Sequence, residues 1–219
     1  MGKLGVSILS ADLSHLADQV KLVEQHADLI HIDVMDAHFV PPLTLGPVVV
    51  GSLRPHTSLP LAGHLMIEQP DQLFDDFAEA GTDMVTFHLE ALPDPAPAIR
   101  KATERGMLVG IALKLETPVE EVYPHLEHIQ NVILMSIEPG WAGQLFRPET
   151  LPRIEALRAE IDRIGAELDV EIDGGITVET GRQCMEAGAT VLTAASSIYQ
   201  APDPAEAARE LAAVARGVA

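Results

Sequence analysis

Hydrophobic positions along this chain alternate between two patterns. Short runs rich in aliphatic and β-branched residues read as strands: VSIL near residue 6, LIHIDV at 29, LAGHLM at 61, MVTFH at 84, LVGIAL at 108, VILMSI at 132, LDVEID at 168 and TVLTAA at 190. Between them lie amphipathic stretches such as DLSHLADQVKLVEQH, PDQLFDDFAEAG, APAIRKATERG, PETLPRIEALRAEIDRI and PAEAARELAAVARG, with Asp or Thr near several starts and Gly near several ends. Alternation of this kind predicts parallel strands joined by right-handed crossovers. Eight such units in 219 residues predict an α/β fold, a (β/α)8 TIM barrel forming one catalytic domain over residues 1–219. An open doubly wound sheet is the alternative, but no GxGxxG follows the first strand.

The second run departs from the all-apolar pattern of a strand buried on both faces. His31, Asp33 and Met35 share one face of it, and Ile30, Ile32 and Val34 share the other, because side chains alternate at period two. His64 in AGHLM and Asp173 in VEIDGG sit at the ends of two further predicted strands. Each of the four, taken singly, also suits a buried polar group satisfied by backbone partners. Together they gather at the carboxyl ends of strands, where barrel sites form, and two imidazoles with two carboxylates suit one divalent metal ion, Zn2+, Fe2+, Mn2+ or Co2+. Spacing does not choose among these metals.

Composition narrows the partners. With 14 Lys plus Arg against 33 Asp plus Glu, the formal net charge of -19 disfavours nucleic acid and anionic membrane surfaces. No apolar run reaches the roughly 18 residues of a membrane-spanning helix and the amino terminus lacks a signal-peptide pattern, so a cytoplasmic protein is expected. The single cysteine, Cys184, lies in the helical-looking stretch VETGRQCMEAGA and is expected to be a structural, half-buried thiol.

The runs SILSADL, HIDVMDAHFVPPLTLGP, HLMIEQP, TFHLEA, MSIEPGWAGQLF and EIDGGI, in this order and spacing, resemble the ribulose-phosphate 3-epimerase family from end to end. The resemblance implies a barrel of the ribulose-phosphate-binding type that inverts C3 of a ketopentose 5-phosphate through an enediolate. Carried onto matching positions, it implies that His31, Asp33, His64 and Asp173 hold the metal and that Asp33 and Asp173 also form the acid and base pair. It further implies substrate contacts from Ser7 and His64, and from Met35, Met66 and Met135 above the reacting carbons, although core packing alone also explains a strand methionine. Inversion needs carboxylates on both sides of the substrate plane, and strands two and seven are far enough apart around a barrel to supply them. A homo-oligomer acting on a small ketose phosphate is expected.

Glycine-containing segments follow strands six, seven and eight, where barrels often bind phosphate: Gly140, Trp141, Ala142 and Gly143, then Gly174 and Gly175, then Ala195 and Ser196. Backbone N–H groups there can hold a dianion without Lys or Arg. The chain departs from the family pattern at Ala37, Ala142 and Ala195, each in place of Gly, at Pro42 for Asn, Trp141 for Phe, Leu115 for Pro, and Ala62 for an Asp that would orient His64. Methyl groups at 142 and 195 are expected to restrict positive φ and crowd the phosphate cradle. Competing readings are a C3 epimerase of another keto sugar, phosphorylated or not, a decarboxylase or aldolase barrel, for which Lys114 is the only lysine near a strand end and has no clear partner, and a non-catalytic sugar-phosphate-binding barrel.

Overall fold

The computed structural model describes residues 1–218, and Ala219, the last residue of the expected domain, lies outside them. Eight parallel strands close in sequence order: β1 (Lys3–Ser7), β2 (Leu29–Met35), β3 (Leu61–Met66), β4 (Met84–His88), β5 (Leu108–Leu113), β6 (Asn131–Met135), β7 (Asp169–Asp173) and β8 (Val191–Ala194), with β8 pairing back onto β1. The outer layer comprises α1 (Leu16–Val23), α2 (Pro47–Leu53), α3 (Phe74–Glu79), α4 (Ala96–Glu104), α5 (Thr150–Ile164), α6 (Val178–Glu186), α7 (Ser196–Tyr199) and α8 (Pro204–Ala215). All eight expected strands form. The strict strand-helix alternation fails once, after β5, where Val119–His128 is a 3-10 run. Pro124 lies inside that run, and its missing N–H and ring clash are incompatible with a continuous α-helix. Among the described residues no helix is long and apolar enough to cross a membrane.

Period two divides each strand between two environments. The outward set, including Leu4, Val6, Ile30, Ile32, Val85, Phe87, Ile111, Val132, Leu134, Val170 and Ile172, joins the helices in one large buried cluster. Each such side chain contributes about 1.5–3 kcal/mol of burial free energy, and this layer between sheet and helices is the main core. The inward set is stacked in levels along the barrel axis. Leu29, Ala62 and Val191, with Met84 packed on them, form an apolar plug toward the amino ends of the strands. Met35, Met66 and Val40 form an apolar cluster with Leu9 and Phe39 at the carboxyl ends. Between these levels the inward positions of β2, β3, β4, β7 and β8 are polar and carry the functional groups, and Ala112 and Ile133 on β5 and β6 give an apolar wall beside them.

Cys184 is fully buried, not half-buried as the sequence suggested, because α6 turns it into the main cluster. Burial pushes its thiol up to about 12, which leaves almost no thiolate at mildly alkaline pH. Native protein should therefore give no reaction with a chromogenic disulfide reagent, and one thiol should appear on unfolding in concentrated guanidinium. Rapid labelling before unfolding would contradict this packing.

Candidate active site

Strand register brings the four expected ligands to one level. Asp33 lies beside His64 in the β2–β3 ladder, and β7 ends at Asp173 across the barrel mouth. One ligand atom from each of His31, Asp33, His64 and Asp173 lies within 4.8 Å of all the others. His31 Nε2 is 3.3 Å from Asp33 Oδ1, 3.7 Å from Asp173 Oδ2 and 3.2 Å from His64 Nδ1. His64 Nδ1 is 3.5 Å from Asp33 Oδ1 and 3.4 Å from Asp173 Oδ2. Four donors bonded to one cation at about 2.1 Å in tetrahedral array stand about 3.4 Å apart, so this spacing fits a single metal ion.

Electrostatics point the same way. Burial opposes charge on His31, but Asp33 and Glu171 outweigh it and hold the imidazole well above its ordinary pKa. Burial opposes charge on His64 too, and hydrogen bonds to Asp173 and Asp33 raise it. Asp33, despite burial, is held well below the usual carboxylate range by His31 and His64. Carboxylates that impose positive charge on buried imidazoles supply the field that a divalent cation needs.

The far nitrogens of both histidines are also engaged. His31 Nδ1 meets Glu171 Oε1 at 3.0 Å, and the same carboxylate accepts from Thr193 Oγ1 at 2.6 Å and Asn131 Nδ2 at 2.6 Å. His64 Nε2 meets His88 Nε2 at 3.0 Å, and His88 Nδ1 meets Glu90 Oε2 at 3.2 Å. Burial pushes His88 down to about 4, whereas Glu90 is held at about 2 against its burial by His88, Thr117 and the Lys114 N–H. The orienter of His64 expected to be lost with Ala62 is thus supplied from the neighbouring strand. Glu171, His88 and Glu90 were missed in the sequence. Glu171 shares a strand face with Asp173 in EID, and His88 ends a strand in TFHLEA, so a signal was present in both.

The pocket above this centre is lined by nearly all the remaining expected residues: Ser7, Met35, Met66, Met135, Gly140, Trp141, Ala142, Gly143, Gly174, Gly175, Ala195 and Ser196. Ser7 Oγ donates to Asp33 Oδ2. His64 is the exception: it is fully buried beneath the pocket and does not line it. Gly175 has φ 61, and a Cβ there would lie 2.4 Å from the Phe146 backbone nitrogen, so the turn after β7 admits only glycine. The positive φ at which a methyl group would strain residues 142 and 195 is not adopted there. Ala195 has φ -121, and Ala37, with φ 61, is the only non-glycine residue at positive φ among those described. Lys114, expected to lack a partner, holds its Nζ 3.9 Å from the centre of the Phe39 ring.

Fold and pocket together define a (β/α)8-barrel enzyme with acid and base side chains at its strand ends. The profile of the ribulose-phosphate 3-epimerase family matches residues 3–199. The ribulose-phosphate 3-epimerase of Bacillus subtilis is 42% identical over 96% of this chain and 98% of its own. That of Mycobacterium bovis is 44% identical over 94% of this chain and 89% of its own. The crystal structure of KGPDC from Streptococcus mutans is similar in fold, with TM-score 0.78 and 18% identity over 99% of this chain and 98% of that one. The chain belongs to the ribulose-phosphate 3-epimerase family and is an isomerase acting on carbohydrate.

Two stability effects follow from this geometry. Replacing Ala37 by glycine relieves a left-handed residue but loosens the unfolded chain, and the net effect should be a gain of about 0.5–1 kcal/mol in denaturant unfolding. Glu171→Leu leaves His31, Asn131 and Thr193 without their shared acceptor inside the barrel, and it should cost about 3–5 kcal/mol in the same measurement. A loss below about 1 kcal/mol would show that water replaces the carboxylate.

Proposed function

We propose that the chain interconverts D-ribulose 5-phosphate and D-xylulose 5-phosphate, with Asp33 and Asp173 exchanging the C3 proton on opposite faces of the sugar. The observation that carries this reading is the placement of two carboxylates from β2 and β7 around one buried pair of imidazoles at the mouth of the barrel. One carboxylate removes the C3 proton and the other, protonated, delivers a proton to the opposite face. Their roles exchange with the direction of reaction. Ser7, donating to Asp33 Oδ2, orients that carboxylate and leaves Oδ1 toward the histidines.

His31, Asp33, His64 and Asp173 would hold the divalent ion, and their mixed nitrogen and oxygen set suits Zn2+, Fe2+, Mn2+ or Co2+. An ion bound there would supply Lewis acidity to stabilise the negative charge that develops when the C3 proton leaves. Met35, Met66 and Met135, all buried, keep water from the reacting carbon and strengthen local electrostatics. The phosphate is held by backbone N–H groups of the segments around Gly140–Gly143, Gly174–Gly175 and Ala195–Ser196, an arrangement compatible with the acidic composition because it uses no cationic side chain. Trp141, 60% exposed, stands at the rim.

Asp33→Asn and Asp173→Asn should each reduce net epimerisation by at least about 1000-fold, since each removes a proton carrier worth about 100- to 10,000-fold and weakens metal binding. Exchange of the C3 proton with deuterated solvent, followed by NMR, should outlast inversion in whichever variant retains metal. Chelation should abolish turnover of the unaltered protein and added divalent metal should restore it. Near-normal epimerisation in either variant, or full turnover in metal-free protein, would refute the reading.

A further inference from the structure

The His64–His88–Glu90 chain has a direction set by its last member. Glu90 Oε1 accepts from the Lys114 backbone N–H at 2.8 Å and from the Thr117 hydroxyl, both in the segment after β5. Its other oxygen, Oε2, faces His88 Nδ1. A carboxylate can only accept, so the His88 proton belongs on Nδ1, and His88 Nε2 is left as an acceptor. The facing atom, His64 Nε2, must then carry a proton, so the site left to lose its proton to an incoming cation is Nδ1, which faces Asp33, Asp173 and His31. That loss gives the tautomer in which Nδ1 can ligate a cation.

We infer that His88 and Glu90 are positioning residues for the metal centre: through them the segment carrying Lys114 and Thr117 selects the metal-binding tautomer of His64. The two imidazoles have ring centres 5.1 Å apart with planes inclined by 21°, and His88 is fully buried with the Phe39 ring 5.0 Å away. Neither ring can turn over without displacing its neighbour, so the choice of tautomer is held by packing as well as by hydrogen bonds. His31 is fixed independently by Glu171. The inference rests on the metal site proposed above.

Glu90→Gln separates direction from shape. Lys114 N–H and the Thr117 hydroxyl retain the amide oxygen of the new side chain, so its NH2 group faces His88 Nδ1 and the proton order along the chain reverses. His64 Nδ1 then carries a proton and no longer ligates. The measurement is the dissociation constant of Zn2+ in competition with a chromophoric chelator, together with the visible spectrum of the Co2+ form.

Glu90→Gln and His88→Phe should each weaken Zn2+ binding by about 10–100-fold, with an altered Co2+ spectrum, and Glu90→Gln, which keeps every contact in shape, should leave the unfolding midpoint of the metal-free protein little changed. His88→Gln, which can accept from His64 and donate to Glu90 in the original order, should retain affinity within a few-fold and provides the test if another variant fails to fold. Equal Zn2+ affinity and an unchanged Co2+ spectrum in Glu90→Gln or His88→Phe would overturn the inference while leaving the metal site intact. Failure of the unaltered protein to bind Zn2+ or Co2+ would overturn the metal site itself, and the inference with it.

Discussion

Three imidazoles and two carboxylates, those of His31, His64, His88, Asp33 and Glu171, are buried inside a closed sheet, and burial of a charge there costs several kcal/mol unless it is paired. That cost explains the inner polar residues of the barrel. Glu171 must meet His31, Asn131 and Thr193 at once because a carboxylate so placed needs most of its acceptor sites filled. His88 is on β4 because the far nitrogen of His64 would otherwise lack a partner. The same cost makes the cluster specific, since removing one member leaves the others charged and unpaired.

The barrel sustains this interior because its apolar core lies elsewhere. Outward positions of all eight strands join the helices in a continuous buried layer, which offsets both chain entropy and the burial of polar groups. Separation of the two sets by side-chain period lets the inner face change chemistry without loss of the outer packing. The apolar plug at one end and the methionines at the other confine the polar level to the carboxyl ends of the strands. A substrate can reach those groups from one side only.

The loops adapt to the site in ways that are local and varied. Gly175 is dictated by the Phe146 backbone, whereas the alanines at 142 and 195 lie outside the positive-φ region that favours glycine. Strain is found instead at Ala37, where Asp36 Oδ1 accepts from the His38 and Phe39 N–H groups and folds the turn above β2. Substitution of glycine by alanine therefore has opposite meanings at neighbouring loops, and only the backbone angle distinguishes them.

The strand pattern, the alternating faces of LIHIDVM and the order of the motifs were enough to establish eight strands, a barrel and the cluster of His31, Asp33, His64 and Asp173. Period two and strand succession are local properties, so one sequence displays them. The break after β5 was legible in Pro124 but was obscured by the regularity of the other units. The partners of the histidines depended on closure of the sheet. His31 and Glu171 are 140 residues apart and His64 and His88 are 24 apart, and at those separations no periodicity states which atoms will meet. Register across the ladders determines that pairing, and with it the tautomer of each imidazole, because only the folded barrel sets one strand's inward side chains against another's.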